Sequence, residues 1–318
     1  MHAAPQPRIA VVGATGAVGR ITLQLLLQRG YRNVRAFASW RSAGARLGEI
    51  EVEEATPLAL AAGDLDLCLF SVGTQASREL VPVAAEAGAV CIDKSSAFRL
   101  REGVPLVVPE VNGERVFDHN RIVANPNCCT IPLTMALAPL RDAAGLERVR
   151  VSTYQSVSGA GAEAMEALRN ERPDDHLLRL DWSFDGVEFD EEVKLREETR
   201  KILELPELPV SATCVRVPTM VGHAEAVWVE TSKPLSAADA RRILAQAPGL
   251  RVEEVPAHGH AIGVDEVIVG RIREDPTVER GLALFLVCDN LRKGAALNAI
   301  QIAELLLDSV PASASRRA

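Results

Sequence analysis

The sequence predicts an α/β fold, with a parallel-sheet N-terminal domain followed by an α+β domain built on a mixed sheet. Three observations carry this prediction. Through the first half, short apolar runs alternate with helix-like periods, the pattern of successive βαβ units. From Val149 onward the β-rich runs are more numerous, several are longer, and they alternate more, as in a mixed or antiparallel sheet. The length of 318 residues suits about two domains.

RIAVVG reads as a first buried strand, and AVGRITLQLLLQRG as the helix after it, closed by Gly30. VRAFAS, LDLCLFSV and AVCID read as further strands, the last following a helix around SRELVPVAAEAG. IVANPN is a later strand that turns through Pro126 into the helix TIPLTMALAPL. In the second half VRVSTYQSV, VSATCVRVP, AEAVWVET, DEVIVGRIR and LALFLVCD read as strands, and EEVKLREETRKIL and AADARRILAQA as helices. KGAALNAIQIAELLLDS has an apolar helical face suited to packing back on the first domain. The expected division is therefore 1–127, completed by a helix over 291–310, then 128–290, with a disordered tail at 311–318.

A net charge of −8 argues for solubility and against nonspecific nucleic-acid binding. The apolar runs stop short of membrane-spanning length, and MHAAPQPRIAVVG lacks the parts of a secretory signal, so a cytoplasmic setting is expected. Cys68, Cys91, Cys214 and Cys288 each lie in an apolar β-rich run and are expected to be buried, reduced thiols. His258 and His260 in PAHGHAIG lack companion ligands at zinc spacing, so no metal is expected there. His2 and His119 read as surface residues, and His176 lies in a charged stretch.

Gly13, Gly16 and Gly19 form GATGAVG between the first strand and the first helix. Glycines there let the backbone turn tightly against a pyrophosphate, which the N–H groups and dipole of the helix N-terminus then hold. This predicts a Rossmann-type dinucleotide site involving Gly13, Thr15, Gly16, Ala17 and Val18. After the second strand come Ser39, Trp40, Arg41 and Ser42, with no acid to hold the ribose hydroxyls. A guanidinium and hydroxyls suit a 2′-phosphate, so NADP is favoured over NAD.

NPNCCTIPLTMALAPL places Cys128 at a helix entry, where the dipole and unpaired N–H groups favour a thiolate and could hold an oxyanion. Position alone does not separate Cys128 from Cys129. A cysteine nucleophile beside a nicotinamide implies thioester chemistry at the aldehyde oxidation level.

Taken in order, GATGAVG, RSAG, SSAFR, VPLVVPEVN, NPNC, YQSVSGAG, EEVKLREETRKI, RVPTMVGHAEAV, VGRIR and DNLRKGAALNAIQIAE resemble the aspartate-semialdehyde dehydrogenase family along nearly the whole chain. The resemblance implies that Cys128 is the nucleophile and His223 the acid/base, with Gln155 orienting the substrate near the thiol. It implies that Arg216 clamps the substrate carboxylate, that Glu191 contacts the substrate amine, and that Arg99 and Lys194 hold phosphate. Asn127 belongs to the same substrate set. Gly73, Ser158, Gly159 and Asn290 fall on the cofactor side. The implied reaction is the NADPH-dependent reduction of aspartyl phosphate to aspartate semialdehyde, releasing phosphate, toward lysine, threonine and methionine. The catalytic domain is then also a dimerisation domain, and a homodimer or tetramer is expected.

The stretch between Glu166 and Glu191, and PAHGHAIGVDE before VGRIR, are shorter than the family pattern. Lys94 stands where asparagine is common, Cys129 where serine or threonine is, and Trp40 is an unusual flank to RSAG. Two alternatives accompany the reading: an inactive NADP-binding paralogue with a structural or regulatory role, and an N-acetyl-glutamyl-phosphate reductase. The latter has no free amine to engage Glu191.

Overall fold

A computed structural model of the chain describes residues 6–170 and 182–308. His2, His176, the tail at 311–318 and part of the shortened 166–191 stretch lie outside the described residues. The chain forms two compact units, one running to Pro126 and resuming at Ala296, the other spanning Asn127–Ala295.

The first unit carries a seven-stranded sheet. Its strands are β1 (Ile9–Val12), β2 (Val34–Ala38), β3 (Arg46–Leu47), β4 (Ile50–Glu54), β5 (Leu67–Phe70), β6 (Val90–Asp93) and β7 (Ile122–Ala124), in the order β3-β4-β2-β1-β5-β6-β7. Every pairing but that of β3 with β4 is parallel. Crossovers run through α1 (Ala17–Gln28), α2 (Pro57–Leu60), α3 (Thr74–Glu86) and α4 (Pro109–Asn112). Strands covered on both faces must be apolar throughout. IAVV and LCLF are buried at every position. The β3–β4 pair was not expected from sequence: IEVEE alternates only weakly, and the strand at the sheet edge beside it, β3, is only two residues long.

The second unit carries a six-stranded mixed sheet, as expected, in the order β11-β12-β13-β10-β8-β9. The strands are β8 (Arg148–Gln155), β9 (Val210–Arg216), β10 (His223–Glu230), β11 (Leu250–Val252), β12 (Val267–Glu274) and β13 (Gly281–Cys288). The central pairs β12–β13, β13–β10 and β10–β8 are antiparallel, and the flanking pairs β11–β12 and β8–β9 parallel. Its helices are α5 (Thr130–Ala144), α6 (Ala162–Arg169), α7 (Asp190–Leu203) and α8 (Ala237–Gln246), of which α5, α7 and α8 pack on the sheet and on one another.

The final helix α9 (Leu297–Asp308) belongs to the first unit. Leu297, Ile300, Ile302 and Ala303 are buried with Ile9, Leu26, Leu69 and Ile92 in one core. Each such aliphatic side chain contributes about 1.5–3 kcal/mol by leaving water. A wider helical turn over Arg292–Ala296 leads into α9.

Candidate active site

In the first unit the chain leaves β1 for β2 on one side, while β5 lies on the other, a switch in strand order that opens a crevice at the strands' C-terminal ends. Gly13 ends β1 with φ +87°, and a β-carbon there would sit 2.3 Å from the Ser71 carbonyl oxygen. One at Gly19 would sit 2.1 Å from the Gly13 oxygen, so only glycine lets α1 start this close to the turn. Gly16 caps α1 with no side-chain hydrogen bond, leaving the first-turn N–H groups around Ala17 and Val18 aimed outward for an anion. Gly73 caps α3 in the same manner.

The loop after β2 folds toward this turn. Thr15 Oγ1 lies 3.4 Å from Ser42 Oγ, and the Ser42 N–H donates to the Ser39 carbonyl at 2.9 Å. The exposed Arg41 guanidinium sits 5.6 Å from the centre of the Trp40 ring. Trp40, an odd flank in sequence, thus gives Arg41 a face to lie on. Lys94 reaches from the end of β6 to donate to Ser71 Oγ at 2.6 Å, and desolvation pulls its ammonium down to about 7. Arg99 donates to the carbonyls of Asn125 (3.0 Å) and Lys94 (2.6 Å).

In the second unit, strand alternation sorts the chemistry. On β10, His223 and Glu225 share the face turned to the helices, because residues two apart point the same way. On β8 the same face carries Thr153 and Gln155, and on β9 Cys214 and Arg216, by the register Thr153↔Cys214 and Gln155↔Arg216. All six are buried. Above this face, α5 begins at Thr130 with Cys129 as its cap, so Cys128 precedes the first helical turn. Cys128 is partly exposed and Cys129 fully buried. The two sulfurs and a ring nitrogen of His223 all lie within 4.8 Å of one another.

Around this centre the polar groups are closely tied. The Ser156 N–H donates to His223 Nδ1 at 3.1 Å, so the neutral ring carries its proton on Nε2, which is buried without a hydrogen-bond partner among the described residues. Glu191 Oε1 accepts from Asn127 Nδ2 (2.8 Å) and Gln155 Nε2 (3.3 Å), while Lys194 Nζ donates to Glu191 Oε2 at 3.3 Å. Burial works against the Lys194 charge, but Glu191 and Asp190 outweigh it and hold the ammonium above its ordinary value. Arg216 donates to the Ser156 carbonyl at 3.0 Å, and its guanidinium lies 4.8 Å from the Trp182 ring centre. A β-carbon on Gly159 would come within 3.0 Å of Arg216 Nη1 and 3.4 Å of His223 Nε2, so that glycine lets the loop close over both groups. Asn290 accepts the Gly222 N–H at 2.9 Å and donates to Ser158 Oγ at 2.9 Å.

Residues 8–119 match the semialdehyde dehydrogenase NAD binding domain, and residues 137–184 and 183–293 match the semialdehyde dehydrogenase dimerisation domain. The aspartate-semialdehyde dehydrogenase of Aquifex aeolicus is 45% identical over 333 residues, covering 94% of this chain and 98% of that one. The chain belongs to the aspartate-semialdehyde dehydrogenase family. It is similar to the solved aspartate semialdehyde dehydrogenase II from Vibrio cholerae complexed with ASA, at a TM-score of 0.91 and 38% identity over 96% of this chain and 100% of that one. It is also similar to the Candida albicans aspartate semialdehyde dehydrogenase with NADP, at a TM-score of 0.75 and 25% identity over 95% and 99% of the two chains. As a member of the aspartate-semialdehyde dehydrogenase family it is an oxidoreductase with a nucleotide-binding domain.

Three residues beside this candidate centre escaped the sequence reading. Ser156 orients His223 through its backbone N–H, which no side-chain pattern reveals. Trp182 backs Arg216 from across a long sequence gap. Glu225 had a signal: it is an acid at an inward position of a β-strand, two residues from His223. Burial pushes its carboxyl well up, and charge on Cys128 would push it further, against the effect of the Cys129 thiol.

Proposed function

We propose that the chain reduces L-aspartyl 4-phosphate to L-aspartate 4-semialdehyde with NADPH, releasing phosphate, through a thioester on Cys128. One observation carries this reading. A partly exposed thiol stands beside a buried imidazole, in the unit where Glu191, Gln155, Asn127 and Arg216 supply an acid, two amides and a guanidinium. These groups suit an α-amino acid: Arg216 pairs with its carboxylate and Glu191 with its amine. The same acid would meet no partner in an N-acetylated substrate, which sets this reading above an N-acetyl-glutamyl phosphate.

Cys128 attacks the acyl carbon, the carbon–oxygen bond to phosphate breaks, and phosphate leaves, with Arg99 and Lys194 as its holding cations. NADPH, when bound, supplies the hydride that brings the thioester to the aldehyde level. The uncapped α1 N-terminus, the three glycines, and the Thr15, Ser39, Arg41 and Ser42 group without an acid suit a dinucleotide bearing a 2′-phosphate. The Candida relative bound to NADP supports the same choice. His223 offers Nε2–H to the carbonyl-derived oxygen as the hydride arrives, then takes that proton back as the carbon–sulfur bond breaks, freeing aldehyde and thiolate. The cofactor set is completed by Gly73, Ser158, Gly159 and Asn290. In the cell we place this reaction in the cytoplasm, in the biosynthesis of lysine, threonine and methionine.

The decisive assay is phosphate-dependent reduction of NADP+ by aspartate semialdehyde. Wild type should turn over, require phosphate and prefer NADP+ to NAD+. Cys128→Ala should lose about four orders of magnitude or more, and His223→Ala about 10²–10⁴. A wild-type protein that binds NADPH yet does not turn over would point instead to an inactive paralogue.

A further inference from the structure

Cys129 has no task in the reaction above, yet its sulfur completes a cluster. The sulfurs of Cys128 and Cys129 and a ring nitrogen of His223 lie within 4.8 Å of one another. In a tetrahedral zinc site, with Zn–S about 2.3 Å and Zn–N about 2.0–2.1 Å, neighbouring ligand atoms stand roughly 3.5–3.8 Å apart. Closing three side chains by about an ångström would therefore suffice. Two sulfurs and an imidazole make a soft donor set, which selects zinc-class ions over magnesium or calcium.

A second observation concerns the same ring. Among the described residues His223 Nε2 is buried with no hydrogen-bond partner, on a residue only 1% exposed. To ligate through Nε2 the ring must carry its proton on Nδ1. Ser156 Oγ stands 3.2 Å from Nδ1 and donates to Asn290 Oδ1 at 3.2 Å, which leaves its lone pairs able to accept that proton. A ligating histidine ordinarily passes its other N–H to such an oxygen. The exchange gives up the bond from the Ser156 N–H, so binding is moderated rather than irreversible.

We propose that Cys128, Cys129 and His223 bind one thiophilic divalent cation of the zinc class, and that occupancy switches the enzyme off reversibly. Two thiols each release a proton to solvent as their sulfurs bind, and nothing is oxidised or reduced. The switching half rests on Cys128 being the nucleophile, whereas the binding half does not. Cys129→Ser removes one soft ligand while keeping the side-chain volume nearly unchanged.

The test uses the full-length, metal-free enzyme, with Co2+ as the spectroscopic probe and Zn2+ titrated against a chromophoric chelator. Wild type should bind one ion per chain with thiolate-to-cobalt charge-transfer absorption. It should lose turnover at one equivalent of Zn2+ and recover it with excess chelator. Metal-free Cys129→Ser should keep its turnover while losing about tenfold or more in Zn2+ affinity, with Cys129→Ala as the substitute if the serine variant melts early. Absence of the charge-transfer band in wild type, or a Zn2+ affinity in the Cys129 variants equal to that of wild type, would overturn the proposal. An enzyme that binds cobalt as described but never turns over aspartate semialdehyde would instead sink the proposed reaction and leave the metal site standing.

Discussion

At the scale of single residues, Glu225 is the most unusual group in the second unit. Glu225 is 1% exposed, and among the described residues neither of its oxygens receives a hydrogen bond from an N–H or O–H group. Desolvation favours its neutral form. In the unfolded chain the same group ionises near its ordinary value of about 4.3. Above that pH the unfolded state binds fewer protons than the folded one, so stability falls as pH rises toward the raised folded value. Glu225→Gln removes this linkage and keeps the shape. Its melting temperature relative to wild type should therefore be more favourable at pH 8 than at pH 4.5. Differential scanning fluorimetry at the two pH values measures this, and an equal difference at both would mean that Glu225 is ionised in the folded protein.

Elements decide how far such residues can be found in advance. The first turn of the chain was legible because its constraint is local: three glycines between an apolar strand and an amphipathic helix admit few geometries. Gly19→Ala tests that constraint, since its β-carbon would lie 2.1 Å from the Gly13 oxygen and 2.8 Å from the Ala14 α-carbon, both in backbone that cannot move freely. The variant should lose about 1–3 kcal/mol of stability and bind NADPH more than tenfold more weakly, read by fluorescence titration. Unchanged NADPH affinity would separate the glycine turn from the cofactor. Period-two alternation likewise made the long strands of the second unit readable. The β3–β4 pair was not, because a two-residue edge strand beside an acid-rich neighbour looks like a loop until the pairing is known. The contact of Trp182 with Arg216 was hidden for a related reason: the two come together only through tertiary folding, and no sequence period links them.

On the scale of the whole molecule, the six-stranded sheet has two unlike faces. The face bearing His223 and Gln155 is turned to the helices. Tyr154, Trp228 and Phe285 lie on the other, where with Arg271, Arg273 and His258 they line a concavity of about 510 Å³. Aromatic rings and arginines at the centre of such a surface are the composition of a protein interface rather than of ordinary surface. The matched dimerisation domain covers these residues, and a second copy of the chain is the occupant we assign to this face. Packed two-fold, each copy would present the same patch to the other, so one substitution is felt twice. Trp228→Glu places two carboxylates in the middle of the interface, where each would be desolvated without a partner. Light scattering should give wild type the mass of two chains or a multiple of two, and Trp228→Glu the mass of one. Monomeric wild type at working concentration would remove the second copy from this face. A variant that stays dimeric would move the interface elsewhere on the unit. If the monomer forms and turnover falls with it while the melting temperature holds, association supports the catalytic face from behind the sheet, through β8 and β10, which carry Tyr154 and Trp228 on one side and Gln155 and His223 on the other.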